Sequence, residues 1–180
     1  MPSIIEVLFK LLRILNHIKL PYMLVGGFAV NYYGVPRATG DIDISILIDS
    51  ENIHDFLKTL KKNNFAFHQK EVLTLVKLSN RFMIFSQSSA YRVDCWIPKT
   101  NYETNALQRR VKVKMAGRNF YLPTCEDLIL LKILAGREKD REDLKWIIKR
   151  QKANLDKKYL KFWSIALNIH KELNKLLSLK

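Results

Sequence analysis

A mixed-sheet α+β core followed by a helical tail is the fold this 180-residue chain predicts, and three features of the sequence predict it. Short apolar runs of strand character alternate with amphipathic helical stretches through the first half. An alternating pair of runs on either side of Gly117 reads as a two-stranded ribbon. From Thr124 onward the apolar residues keep helical spacing alone.

Each element has its own signal. Ile4 to Ile18 is apolar but broken by Glu6, Lys10, Arg13, Asn16 and His17, so it reads as an amphipathic helix, and Ser3 and Glu6 stand at capping-box spacing. Tyr22 to Val25 reads as a strand, Gly27 to about Tyr33 as a helix, and Asp41 to Ile48 as a second strand. Asp49-Ser50 then caps a helix from Glu51 to about Asn63, with Ile53, Phe56, Leu57 and Leu60 on one side. Val72 to Leu78, Arg81 to Gln87 and Tyr91 to Ile97 read as three strands, punctuated by Ser79-Asn80 and Ser88-Ser89. In the ribbon, Val111 to Met115 alternates, Gly117-Arg118-Asn119 turns and Phe120 to Leu122 returns. Thr124 and Asp127 open the tail at capping spacing, Gly136 ends its first helix, and Asn154 separates two more. The expected division is a core over 1–123 and a helical segment over 124–180 packed on it. Tyr159, Phe162, Trp163, Ile165, Leu173 and Leu177 give that tail more apolar surface than one stripe needs. It packs on the core or, in the alternative reading, forms a dimer or partner interface.

Composition narrows the class. A chain with 48% hydrophobic residues is not of the disordered type. The two cysteines, Cys95 and Cys125, make neither a disulfide framework nor a metal cluster, which suits a reducing cytoplasm. No cationic leader opens the sequence, and no run approaches eighteen uninterrupted apolar residues, so neither export nor a membrane partner is expected. Lys and Arg number 31 against 17 Asp and Glu, a net charge of +14. Such a field attracts polyanions, nucleoside triphosphates and RNA alike, although a lysine-rich, thermally adapted surface would look the same. The four histidines are scattered without metal-ligand spacing.

The chemistry concentrates between Val25 and Asp43. Gly26-Gly27 follows the first strand, a short helical pattern comes next, and Asp41 and Asp43 then open the apolar run Ile42 to Ile48. Paired glycines at a strand-to-helix junction allow positive φ and close approach of a ligand. The first-turn amides and the positive end of the helix dipole favour a polyphosphate. Side chains on a strand alternate, so Asp41, Asp43 and Ser45 share one face and Ile42, Ile44 and Ile46 the other. Carboxylates two apart bind hard divalent cations, and two such ions serve an in-line displacement. Taken singly, a glycine pair is most often a turn and Asp-x-Asp a solvated strand end; their succession within nineteen residues carries the reading.

With these residues the chain resembles the DNA polymerase β-type nucleotidyltransferase superfamily, whose signature is Gly-Gly or Gly-Ser, a helix, then Asp-x-Asp. The resemblance implies a third carboxylate on a later strand, and Asp94, within Tyr91-Arg92-Val93-Asp94-Cys95-Trp96-Ile97, is the match. An acid that interrupts an apolar run needs a cation or a donor, and an ion pair with Arg92 is the plain alternative. Gly27 stands where the family often has serine. A second segment, Lys132-Ile133-Leu134-Ala135 followed by Arg137-Glu138-Lys139-Asp140-Arg141-Glu142-Asp143-Leu144, is similar to small bacterial and archaeal nucleotidyltransferases, abortive-infection toxins among them. By that resemblance Lys132 and Asp143 lie near the nucleotide, with Arg137 and Asp140 in support; read alone, such spacing marks a solvated helix face. The resemblance covers most of residues 20 to 145. It implies a nucleoside triphosphate substrate and two Mg²⁺ (or Mn²⁺) ions on Asp41, Asp43 and Asp94. Gly26 and Gly27 would cradle phosphates, with Arg37 and Thr39 nearby. RNA, a tRNA end or a protein hydroxyl is the acceptor that suits the charge. The first motif also resembles aminoglycoside and lincosamide nucleotidyltransferases, and a non-catalytic nucleic-acid-binding or toxin-antitoxin partner module is the reading from another class.

Overall fold

A computed structural model describes residues 1–89, 91–115 and 117–178. Helix α1 (Ile4–His17) opens the chain with the Ser3–Glu6 capping box formed from both sides. Strand β1 (Tyr22–Leu24) leads into helix α2 (Gly26–Tyr33), and strand β2 (Asp41–Ile46) returns antiparallel to β1. Helix α3 (Ile53–Lys62) begins two residues later than its sequence suggests, because the Asp49 carboxylate accepts from the Asn52 amide and holds a turn ahead of the helix. It buries Ile53, Phe56, Leu57 and Leu60.

One expectation is overturned. Val72 to Leu78 is not a strand; it lies in helix α4 (Gln69–Ser79), between the two-residue strand β3 (Phe65–Ala66) and strand β4 (Arg81–Ser86). The β-branched composition of this run suggested a strand. Its burial follows a helical period instead: Val72 is enclosed, and Leu73 and Val76 pack half-buried on the core. Asn80, in the left-handed region at φ 52°, closes the helix and turns the chain into β4. Strand β5 (Arg92–Trp96) follows. Helix α5 (Asn101–Gln108) has no counterpart among the expected elements, although Thr100 and Glu103 form a complete capping box at its start. The ribbon forms as β6 (Val111–Met115) and β7 (Arg118–Leu122). The tail consists of α6 (Cys125–Ala135), α7 (Glu138–Gln151), α8 (Lys157–Ala166) and α9 (His170–Leu177).

The main sheet runs in the order β1-β2-β5-β4-β3, with β2 and β5 parallel and every other neighbouring pair antiparallel. Register decides what each face carries. One face presents Leu24, Ile44, Cys95 and Phe82 in one row and Ile42, Val93 and Ile84 in the next, all enclosed in a core with the apolar stripes of α1 and α3. The opposite face presents Met23, Ser45, Trp96 and Arg81 in one row, Asp43, Asp94 and Met83 in the next, and Asp41, Arg92 and Phe85 in the last. The charged members of the sheet are therefore gathered on the face away from the core.

Candidate active site

The two candidate aspartates of β2 and the candidate on β5 lie side by side because the parallel register sets Asp43 opposite Asp94 and Asp41 opposite Arg92. Asp94 is 3% exposed, and its Oδ1 accepts no hydrogen bond from the described residues. Its Oδ2 accepts from Arg92 Nε at 3.0 Å, and Arg92 Nη2 reaches the same oxygen at 2.9 Å and Asp41 Oδ2 at 3.2 Å. Arg81 Nη2 stands 3.8 Å from Asp94 Oδ1. The ion pair with Arg92 is thus real, and it does not exhaust the carboxylate. Burial pushes the Asp43 carboxyl above the usual range, and the neighbouring charges of Asp41 and Asp94 add to the shift.

The glycine pair is shaped by these acids. Gly26 has φ +56°, and a Cβ there would fall inside the Asp43 carboxylate. At Gly27 a Cβ would stand 2.5 Å from Thr39 Oγ1. Thr39 Oγ1 in turn lies 3.2 Å from the Asp41 carbonyl and 3.4 Å from Asp41 Oδ1. The start of α2, with its outward-facing amides, is pressed directly against the acidic row.

Lys132, Asp143 and Arg37 meet beside it. Lys132 Nζ lies 2.6 Å from Asp140 Oδ1 and 2.8 Å from Asp143 Oδ2, and the lysine is 5% exposed. Arg37 grips Asp143 with two nitrogens at 3.0 and 3.1 Å, and Arg137 grips Asp140 at 2.7 and 3.2 Å. Burial alone would raise both carboxyls; the hydrogen bonds from Arg137 and Lys132 hold Asp140 below the usual range, and those from Arg37 and Lys132 do the same for Asp143. Three cations face two carboxylates, so the cluster keeps a positive surplus.

That surplus adjoins a cavity of about 440 Å³ between the polar sheet face and α6. Gly26, Asp43, Lys132 and Arg137 line one part of it; Ser45, Trp96, Arg81 and Lys99 line another. Arg81 stacks over the Trp96 ring at 4.6 Å. Trp96 and Arg81 were not anticipated. Strand alternation from Asp94 puts Trp96 on the same face, but only the antiparallel register of β4 brings Arg81 beside it.

Several observations test whether hard cations suit the acidic row. The donors are carboxylate oxygens, Asp94 Oδ1 is buried and accepts no hydrogen bond among the described residues, and the backbone at Gly26 leaves no side chain between Asp43 and the helix start. Among the described residues, no three His, Cys, Asp or Glu side chains are drawn together as a metal cage, and Arg92 is the group that spans Asp41 and Asp94. The donor set fits a divalent cation once that guanidinium gives way.

Solved structures share the fold. The chain is similar to the lincosamide antibiotic adenylyltransferase LnuA in its lincomycin-bound crystal structure, with 18% identity, a TM-score of 0.53, and coverage of 78% of this chain and 93% of that one. It is also similar to ANT(2")-Ia in complex with adenylyl-2"-tobramycin, at 16% identity and TM-score 0.60 over 90% of this chain and 95% of that one. An antigenic nucleotidyltransferase-like protein from Paracoccidioides brasiliensis matches at 16% identity and TM-score 0.51 over 97% of this chain and 92% of that one. No curated protein matches the chain in sequence. Residues 3–162 match the family described as "Nucleotidyltransferase of unknown function (DUF6036)", so the protein belongs to that family and is a nucleotidyltransferase.

Proposed function

We propose that the protein moves a nucleoside monophosphate from a triphosphate to an acceptor hydroxyl and releases pyrophosphate. The observation that carries this reading is the acidic row of Asp41, Asp43 and Asp94 packed against the Gly26-Gly27 start of α2. In this reading residues 1–123 form the catalytic core and 124–180 a helical segment packed on it, whose first helix lines the cavity; residues 179 and 180 lie outside the described residues. Asp41, Asp43 and Asp94 would hold two Mg²⁺ (or Mn²⁺) ions, which when bound acidify the acceptor hydroxyl and neutralise charge on the departing pyrophosphate. The amides at Gly26 and Gly27 cradle the β and γ phosphates, with Thr39 beside them. Lys132 and Arg137 supply positive charge along the cavity wall, while Arg37 and Asp143 act by holding Lys132 in place. The acceptor oxygen attacks the α phosphorus, its proton passes to Asp94, and the bond to the oxygen bridging to the β phosphorus breaks.

RNA, a tRNA end or a protein hydroxyl is the acceptor class that the net charge of +14 supports. Two free cysteines are consistent with work in the cytoplasm. No described helix is long and apolar enough to cross a membrane. The cavity favours a second reading, a small-molecule acceptor held against Trp96. Incubation of the pure protein with each labelled triphosphate, Mg²⁺ or Mn²⁺, and total RNA or cell lysate separates these readings by what becomes labelled. Asp43→Asn serves as the control. It should lower transfer by at least about 10³-fold, the worth of several kcal/mol in the transition state, with the melting transition retained. Wild-type turnover by Asp43→Asn at saturating Mg²⁺ would refute the assignment of the acids.

A further inference from the structure

The group between the acids is a side chain of the protein itself. Three carboxylates in adjacent positions of two strands repel one another, and the fold must offset that repulsion whenever no cation is bound. Arg92 does so: one guanidinium nitrogen is shared between Asp41 Oδ2 and Asp94 Oδ2, and Nε binds Asp94 Oδ2 again. Asp41 and Asp94 are two of the three acids that would hold divalent cations in the proposed function. The two partners differ in freedom. The Asp94 side chain is 4% exposed and fixed in the sheet, whereas that of Arg92 is 44% exposed and has solvent to move into. The other cation at Asp94, Arg81, is held on the Trp96 ring and touches only Oδ1, at 3.8 Å. Arg137 lines the cavity with Asp43 but is committed to Asp140.

We propose that Arg92 is a resident counter-cation of the acidic row, which occupies the Asp41–Asp94 bridge in the free protein and yields it when divalent cations enter. The proposal rests on the metal-binding reading of the proposed function. Its consequence is thermodynamic: cations bind only the fraction of molecules in which Arg92 has swung out, so their affinity for the free protein is reduced by that fraction. A nucleotide that draws the guanidinium toward its phosphates removes the penalty, and cation and nucleotide then bind cooperatively. Arg92 is a positioning residue in this account.

The test is Mn²⁺ binding to the nucleotide-free protein, followed by titration calorimetry and by the electron paramagnetic resonance of free Mn²⁺. Arg92→Met should bind Mn²⁺ about tenfold more tightly than wild type, as expected when a competing state of about 90% occupancy is removed. Arg92→Gln should behave likewise, and covers the case in which Arg92→Met does not fold. Arg92→Lys, which keeps the charge, should stay near wild type. In EDTA the Arg92→Met protein should melt below wild type, and Mn²⁺ should restore more of its stability than it adds to wild type. Unchanged or weaker Mn²⁺ binding by both neutral variants, with binding still abolished by Asp43→Asn, would overturn the counter-cation role and spare the metal-binding reading. Mn²⁺ binding that is indifferent to Asp43→Asn would overturn both.

Discussion

Gly26 shows how tightly one residue couples backbone and chemistry. Its φ of +56° is open to glycine at no cost, and the volume a side chain would need is filled by the Asp43 carboxylate. Gly26→Ala should therefore lower stability by about 1–3 kcal/mol in chemical denaturation, through left-handed strain, and should also displace Asp43 and suppress transfer. Gly117, also at positive φ, has open space around it, so Gly117→Ala should retain full transfer. Equal loss of activity in both variants would contradict the close-packed role of Gly26. Lys132 is the second telling residue. Its ammonium is enclosed between two buried carboxylates, so Lys132→Met leaves like charges facing each other. The expected cost is about 3–5 kcal/mol of unfolding free energy, measured in urea. A change below about 1 kcal/mol would mean that Arg37 and Arg137 suffice to hold the cluster.

At the scale of elements, what the sequence revealed was periodicity, and what it hid was pairing. The alternation of Asp41, Asp43 and Ser45 with three isoleucines was readable because a strand's period is two residues. The position of Asp94 beside Asp43 depends on strand register, and a single sequence carries no register; only family resemblance pointed to it. The sequence of α4 resembles a strand because valine and leucine fill either element, and α5, despite its Thr100–Glu103 box, has an apolar face too short to stand out. Arg109, two residues before the ribbon, caps the end of α5. It pairs with the fully buried Asp127 at 3.3 Å and covers the Tyr159 ring at 3.9 Å. Asp127 also accepts from Tyr102, Thr124 and Tyr159, so one carboxylate ties α5, α6 and α8 together. Tyr159→Phe removes the 2.6 Å bond to Asp127 and the one accepted from Asn105, and should cost about 1–3 kcal/mol. The α6–α7 junction carries its own pH dependence. Asp140 and Asp143 are held below the ordinary 3.8, so their contribution is complete above that pH and is lost as pH falls through their folded values. Melting temperature followed from pH 5 downward should fall more steeply below pH 4 in wild type than in the Asp140→Asn/Asp143→Asn double variant. Parallel acid limbs would remove this junction from the account.

For the molecule as a whole, the question is what the surplus of positive charge does. Not all of it is available: Arg109 serves Asp127, Arg110 lies over Tyr121, Arg118 lies over Phe9, and Arg150 donates to the Gly34 carbonyl. Among the described residues, the ribbon cations that are exposed and without a partner are Lys112 and Lys114, on β6, whose partner strand β7 packs beside β1. If RNA is the acceptor, these two lysines should contact phosphates, and binding should weaken steeply with salt because each neutralised phosphate releases counterions. The log–log slope for a single strand is roughly −0.7 per contact, so Lys112→Ala with Lys114→Ala should flatten the slope by roughly 1.4 while sparing the fold. Arg109→Ala is unsuitable for this purpose, since it would strip a buried carboxylate of its cation and lower stability as well. RNA binding measured at several salt concentrations for the wild-type and double-lysine proteins decides the matter. Binding that is absent at low salt, or equally salt-dependent in both proteins, would move the acceptor off the ribbon. The cavity beside Trp96 would then be left as the place where a smaller acceptor is held.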